Sequence, residues 1–259
     1  MITPSHWPAE AIWEQVFPLL PDFTVEVLPE IDSSNSELMR RARAGQREAT
    51  LLVAERQTAG RGRLGRVWQS QPGDSLTFSL SLPLAPQDWS GLSLAVGLSL
   101  AESLHPDVGL KWPNDLWLQD RKLGGILVEA ASMGGRSQVV VGVGLNIRAR
   151  PAEGLNTPPA ALTELLPDLT APDCLMRVAM PLMRTLLAFE RDGFAPLKSR
   201  FEARDVLLGR RVHTSDGQIG KANGVSPSGA LRLQTDTSLQ EIHSAEVSVR
   251  PLTSEAPFR

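Results

Sequence analysis

Glu55-Arg56-Gln57-Thr58-Ala59-Gly60-Arg61-Gly62-Arg63-Leu64-Gly65-Arg66-Val67-Trp68 follows directly on an apolar, strand-like run, Leu51-Leu52-Val53. Three glycines and three arginines fall within residues 60–66. Glycine lets a backbone approach a ligand closely and adopt angles that other residues avoid. Arginine offers a permanently charged fork of donors suited to phosphate and carboxylate oxygens. A strand that empties into such a loop points to a site for an anionic ligand, the alternative being a solvated basic turn. The glycines are not followed by Lys-Ser or Lys-Thr, so the loop is no Walker loop. Nor does it have the spacing of the dinucleotide fingerprint.

Outward from the loop, the chain divides by texture. Apolar character at 8–20 predicts a short helix starting at Pro8. Ser34 and Glu37 stand at capping-box spacing, so a helix is expected from about Asn35 to Ala44, ended by Gly45. Residues 49–55 form the strand that enters the loop. Residues 75–82, Ser-Leu-Thr-Phe-Ser-Leu-Ser-Leu, alternate polar and apolar as a half-buried strand does. A helix at 90–104, a strand at 108–112 and a turn at Pro113-Asn114-Asp115 follow. The runs 123–130 and 138–147 read as a hairpin of central strands joined by Met133-Gly134-Gly135 and its neighbours. After a Pro/Gly-rich loop at 151–159, helices are expected at 160–166, 172–190 and 194–204, with Pro181 kinking or dividing the middle one. From Gly209 onward, short β-type runs alternate with Gly, Asn, Asp and Ser turns, as in a small all-β barrel. The expected fold class is α+β: a mixed or antiparallel sheet flanked by helices over residues 1–205, then an all-β unit over 206–259.

Composition narrows the function. A chain of 259 residues that is 42% hydrophobic can bury a large core. A net charge of -3 argues against wholesale nucleic-acid binding, and the basic residues concentrate instead in 40–66. One cysteine, Cys174, excludes an intramolecular disulfide and fits a reducing cytoplasm. No leader is evident, and the longest apolar run, Leu92 to Leu104, is interrupted by Ser, Gly and Glu, so no membrane span is expected.

Four clusters carry candidate chemistry. Ser33-Ser34-Asn35 gathers hydroxyls and an amide at a helix start, suited to a small polar group or to simple capping. The Gly/Arg loop, with Gln57 before it and Trp68 after it, is the second. In the third, Lys111-Trp112-Pro113-Asn114-Asp115 is followed by Lys122-Leu123-Gly124-Gly125. Here the lysines suit phosphate oxygens, while Asn114 and Asp115 suit a magnesium ion or proton transfer from an amine, the alternative being an amphipathic turn with snorkelling lysines. The fourth is Gly142-Val143-Gly144-Leu145-Asn146. Glycines in a β-branched strand mark close packing against its backbone, and Asn146 either contacts a nucleotide or metal or caps the turn. His6, His105, His213 and His243 lie outside these clusters and lack zinc-ligand spacing. Together the clusters suit catalysis by charge and positioning, bringing a carboxylate and a nucleoside triphosphate together.

These segments, in this order over roughly residues 30–148, resemble the biotin protein ligase (biotin–[acetyl-CoA-carboxylase] ligase) family. The match includes Asp32-Ser33-Ser34-Asn35, Gln57 through Trp68, Lys111 through Asp115, Lys122-Leu123-Gly124-Gly125-Ile126-Leu127-Val128-Glu129 and Gly142 through Asn146. The resemblance implies a class II synthetase-like catalytic domain and an SH3-like C-terminal domain. It implies that biotin and Mg-ATP form biotinyl-5'-AMP, which a lysine of a biotin carboxyl carrier domain then attacks. Ser33, Ser34, Asn35 and Gln57 would bind the biotin head group. Arg61, Gly62 and Arg63 would order over biotin and phosphates, with Trp68 on the nucleotide side. Lys122 would contact the biotin carboxylate and α-phosphate, and Asp115 would help the acceptor amine lose its proton. Lys111 and Asn114 would support phosphate and magnesium, Asn146 would sit near the adenylate and metal, and Arg250 would reach the ATP site from the tail. Residues 148–158 match an adenine-covering loop by position alone. The family usually has Thr where this chain has Ser34. The first motif begins at Asp32, too early for the winged helix-turn-helix of repressor-type members, so no operator binding is expected; a homodimer is compatible with the resemblance. The readings set against it are a lipoate or octanoyl ligase and a non-catalytic biotin-sensing module.

Overall fold

The alternating run at 75–82 lies in the middle of a seven-stranded sheet. The computed structural model describes residues 6–133, 136–151, 157–243 and 249–252. Gly134 and Gly135 of the expected hairpin link, residues 152–156 of the loop over 148–158 and the tail beyond 252 lie outside the described residues. In chain order the strands are β1 (Thr24–Ile31), β2 (Thr50–Gln57), β3 (Ser75–Pro83), β4 (Gly109–Lys111), β5 (Asp115–Leu118), β6 (Arg121–Met133) and β7 (Arg136–Asn146). Their spatial order is β1-β2-β3-β7-β6-β5-β4; β1 and β2 are parallel and the other pairs antiparallel.

Two of these strands, β1 and β5, go beyond the sequence expectations. In β1, Pro29 breaks the β signal, but the strand lies at the sheet edge, where a missing N–H costs no ladder bond. β5 is too short to show a period. The expectation that β3 is half-buried is corrected: all of its residues but Pro83 are buried. Leu76, Phe78, Leu80 and Leu82 enter the main core, and the hydroxyl residues on its other face are covered too.

Helices sort by sheet face. α1 (Ala9–Val16), α3 (Leu92–Leu104) and α4 (Ala171–Asp192) contribute to one apolar core with Leu51, Val53, Val141 and Val143. α2 (Ser34–Arg43) covers the opposite face through Leu38 and Met39, against Leu52 and Val140. Burying such a side chain contributes about 1.5–3 kcal/mol. The cap of α2 differs from expectation: Ser33, not Ser34, is the N-cap, accepting from Ser36 N at 3.3 Å. Glu37 pairs with Arg40 and Arg41 instead of closing a box. α4 is one helix with Pro181 inside it, not two. The expected helix at 160–166 is a single 3-10 turn, Leu162–Glu164, and the one at 194–204 shortens to a turn (Ala195–Leu197) and α5 (Lys198–Glu202).

The tail forms the anticipated all-β unit. β8 (Arg211–Thr214), β9 (Ile219–Val225), β10 (Leu231–Gln234), β11 (Leu239–Ile242) and β12 (Val249–Pro251) make one antiparallel sheet in the order β11-β10-β9-β8-β12. It is stitched to the first sheet through β4. Leu110 N donates to Arg204 O at 2.8 Å, and Val206 N donates to Leu110 O at 2.9 Å. The indole N–H of the fully buried Trp112 donates to Gly229 O at 3.0 Å. In this seam, burial pushes the Asp205 carboxyl up to about 6, although Leu207 N donates to its Oδ1 at 2.9 Å.

Candidate active site

The polar face of β3 forms the floor beneath the start of α2. Ser34 N donates to Gln57 Oε1 at 2.7 Å, and Ser34 Oγ lies 3.0 Å from the same oxygen. Ser79 Oγ lies 2.8 Å from Ser34 Oγ and donates to Asn35 Oδ1 at 2.9 Å. Gln57 is fixed in turn by its own N–H, which donates to Ser70 Oγ at 2.8 Å. Ser33, Ser34, Asn35, Gln57 and Ser79 are all buried, and hydroxyls and amides that are buried yet mutually satisfied make a pre-organised polar pocket. Asp32 stands outside it and holds the helix entrance. Ser33 N donates to Asp32 Oδ1 at 2.7 Å, and the Arg40 guanidinium holds the Asp32 carboxyl below its usual range.

The two glycines of β7 explain how this pocket closes. A Cβ at Gly142 would collide with Asn35 Oδ1, and one at Gly144 would collide with the Trp68 indole. What packs against this backbone is therefore the chain's own Asn35 and Trp68. The Trp68 indole N–H donates to Thr77 Oγ1 at 3.3 Å, and the Arg150 guanidinium lies over its ring at 5.3 Å.

Between these side chains the Gly/Arg loop folds back on itself. Trp68 N donates to Gly60 O at 2.9 Å and Gly62 N to Arg66 O at 2.7 Å. Leu64 at φ 55° and Gly65 at φ 70° turn the chain at the tip. Leu64 and Val67 are exposed there. Arg61 reaches Glu129, with Nη2 to Oε2 at 2.9 Å. Arg63 turns inward, and its Nη1 donates to Asn114 Oδ1 at 3.3 Å. Burial lowers the pKa of Arg63, an effect that Asp115 opposes.

The third cluster closes the opposite wall. Lys122 Nζ donates to Asp115 Oδ1 at 2.6 Å, and Lys111 Nζ lies 3.5 Å from Asp115 Oδ2. Lys111 also sits over the Trp117 ring at 5.0 Å. Burial lowers the pKa of Lys111, opposed by Asp115. Burial alone would raise the Asp115 carboxyl, but Lys122 and then Lys111 overcome it and hold it below its usual range. Gly125 gives the Lys122 side chain room, since a Cβ there would stand 3.3 Å from Nζ. Asn114 is anchored as donor and acceptor to the Ile126 backbone, at 2.8 and 2.9 Å.

One cavity of about 580 Å³ collects these groups. Ser33, Ser34, Asn35, Gln57, Arg61, Gly62 and Arg63 line one side, and Trp68, Lys111, Asn114, Asp115, Lys122 and Arg250 line the rest. Asn146 is the exception. It lies outside the lining, and its amide donates to Lys122 O at 3.2 Å and Ala160 O at 2.9 Å, which secures the strand behind the cavity. Among the described residues, no group of three His, Cys, Asp or Glu side chains converges on a metal position. Sequence reasoning passed over Thr77, Ser79, Glu129 and Arg150. The hydroxyls of β3 have the spacing of solvent-facing positions, and Arg150 lies in a loop without pattern.

The chain is similar to known proteins in sequence and in fold. Residues 28–146 match the biotin/lipoate A/B protein ligase family, and residues 207–250 match the biotin protein ligase C-terminal domain. The bifunctional ligase/repressor BirA of Escherichia coli is 36% identical over 249 residues, covering 92% of this chain and 77% of that protein. The biotin--[acetyl-CoA-carboxylase] ligase of Mycobacterium tuberculosis is 35% identical over 227 residues, covering 81% and 82%. The structure of the biotin protein ligase of Aquifex aeolicus in complex with biotin and ATP is similar at a TM-score of 0.76 and 33% identity, covering 88% of this chain and 99% of that one. With both of its sheets and its ordered run of motifs accounted for, the chain belongs to the biotin protein ligase family.

Proposed function

We propose that this chain activates biotin with ATP and transfers it to a lysine of a biotin carboxyl carrier domain. The observation that carries the proposal is the trio Lys111–Asp115–Lys122, with Arg63 reaching the neighbouring Asn114, in a cavity that also holds the Ser34–Gln57–Asn35 pocket. The pocket offers donors and acceptors in the density that a ureido head group needs. The cations then face the biotin carboxylate and the ATP phosphates, two anions that repel each other in water. With that charge neutralised, a carboxylate oxygen attacks the α-phosphorus. A P–O bond forms, the bond to the β-phosphate bridging oxygen breaks, and pyrophosphate leaves. The carrier amine next attacks the acyl carbon, forming the amide as AMP departs.

Asp115 and Lys122 divide the proton work. While Lys122 holds Asp115, the carboxylate stays ionised. Once Lys122 turns to the substrate anions, burial acts on Asp115 with one partner fewer and raises its affinity for a proton. That is the moment at which the incoming lysine must lose one. Arg61, Arg63 and Lys122 serve biotin and phosphates; Trp68, Asn114 and Arg250 serve the nucleotide. Magnesium would supply charge neutralisation, and the Asn114 side-chain oxygen, which accepts from Arg63 in this structure, is the protein group that would help hold it. Asn146 acts from behind the cavity wall.

The division near residue 206 makes 1–205 the catalytic domain and 206–259 the smaller domain that contributes Arg250. The net charge of -3 supports an enzyme that does not hold DNA. The buried free thiol of Cys174 supports a place in the cytoplasm. A non-catalytic sensor has no use for a trio of opposed charges, and lipoate has no ureido group for the pocket. The test is to mix the protein with biotin, Mg-ATP and a biotin carrier domain. Pyrophosphate release and a covalent mass increase on one lysine are expected; binding of biotin without pyrophosphate would overturn the proposal.

A further inference from the structure

Glu129 lies on β6 opposite Val140, on the sheet face shared by Leu127 and Gly142. It is outside the cavity lining, yet it holds two groups that are inside it. Its Oε2 accepts from Asn35 Nδ2 at 2.7 Å and from Arg61 Nη2 at 2.9 Å, and its Oε1 accepts from the same Arg61 nitrogen at 3.2 Å. One carboxylate thus ties the head-group pocket to the Gly/Arg loop.

An ionised carboxylate only accepts, whereas an amide donates at one end and accepts at the other. Glu129 therefore turns the Asn35 amine toward itself and the Asn35 carbonyl toward Ser79. Ser79 spends its proton on that carbonyl and must accept from Ser34. The hydroxyl protons run one way, from Ser34 through Ser79 to Asn35, and the chain ends on the carboxylate that holds Arg61.

We propose that Glu129 is a positioning residue for the ligase reaction. It sets the donor and acceptor polarity of the Asn35–Ser79–Ser34 chain for the biotin head group and, through Arg61, couples that polarity to the loop. The inference rests on the adenylation reading above, so pyrophosphate release by the wild-type protein is measured first. No release from wild type overturns that reading and leaves nothing for Glu129 to position.

The test is a swap of donor and acceptor. Glu129→Gln gives the Asn35 amine a weaker, neutral acceptor and deprives Arg61 of its charged partner. Asn35→Asp sets two carboxylates against each other. Each single variant is expected to raise the biotin KM about tenfold or more, the loss of one charge-assisted hydrogen bond, with the ATP KM within about twofold of wild type. In the double variant Asn35→Asp/Glu129→Gln, the amide introduced on β6 donates to the carboxylate introduced on α2, while Ser79 still has an acceptor. The biotin KM is expected to return to within about threefold of wild type. A packing role predicts no such rescue. Additive losses in the double variant, equal rises in biotin and ATP KM, or a wild-type biotin KM in either single variant would each overturn the proposal. Because the swap reads one single variant against the other, poor folding of Glu129→Gln alone does not hide the answer.

Discussion

Lys122 Nζ lies 2.6 Å from Asp115 Oδ1 across the β5–β6 hairpin, with Lys111 on the far carboxylate oxygen. Two cations sharing one carboxylate leave positive charge to spare, and it faces the cavity.

Lys122→Ala is expected to lower the rate of pyrophosphate release by about 10²–10³, as removal of one pre-organised charged donor does elsewhere. The far-UV circular dichroism should stay as in wild type, since Lys111 still balances Asp115. Arg63→Ala, which removes the loop's inward-turned guanidinium, should lose a similar factor or release the adenylate early. Stopped-flow pyrophosphate detection and filter retention of the adenylate separate the two.

Asp115→Ala should damage the fold as well as the chemistry. It leaves the buried Lys111 ammonium without its counter-charge, at a cost of about 3–5 kcal/mol. Urea denaturation should show the loss, and Lys111→Met in the same background should recover part of it.

The β7 glycines permit a sharper separation. Gly142→Ala is expected to displace Asn35 and raise the biotin KM about tenfold, leaving that for ATP near wild type. Gly144→Ala is expected to displace Trp68 and do the reverse. Steady-state kinetics with each substrate varied in turn would read both, and parallel changes in the two KM values would contradict the geometry.

Asp205 gives a pH signature. Its carboxyl is raised to about 6 in the folded state, against 3.8 ordinarily. Between these values the folded chain holds a proton that the unfolded chain releases, so this group's stability contribution is present below pH 3.8 and is lost as pH rises through 6. The loss amounts to about 3 kcal/mol. Asp205→Asn should remove this slope, which thermal melts of both proteins at about pH 5 and about pH 7.5 would reveal by comparison.

Cys174 is buried and its thiol is pushed up to about 12 by desolvation. The folded protein is expected to resist a thiol reagent at about pH 8 and to react with one equivalent once denatured.

Much of this site is legible in the chain because its chemistry needs rare residue types in fixed order. The Gly/Arg loop, the Lys-Trp-Pro-Asn-Asp turn and the paired glycines of β7 all reach one cavity. What escaped reading has physical causes. Ser75, Thr77, Ser79 and Ser81 alternate with apolar residues as solvent-facing ones do, but their partners, Gln71, Trp68, Asn35 and Gln138, come from outside the strand. Ser33 and Ser34 offer two caps one residue apart, and the engagement of Ser34 with Gln57 leaves the cap to Ser33. Asn146 carries the right chemistry, but its position on β7 points its amide at backbone carbonyls. Pro29 hides an edge strand whose pairing partner lies further along the chain, beyond α2.

β4 has a second role beyond its place in the first sheet. Its outer edge receives the chain at Arg204 and Val206, and the next residues after Leu110 are Lys111 and Trp112, the latter bonded to Gly229. The tail is thus mortised into the same few peptides that present the reactive charges. Trimming the chain back to Arg204 would strip partners from Leu110 and Trp112 one step from the chemistry. Inheritance of the tail together with the catalytic half follows from carpentry as much as from what the tail touches.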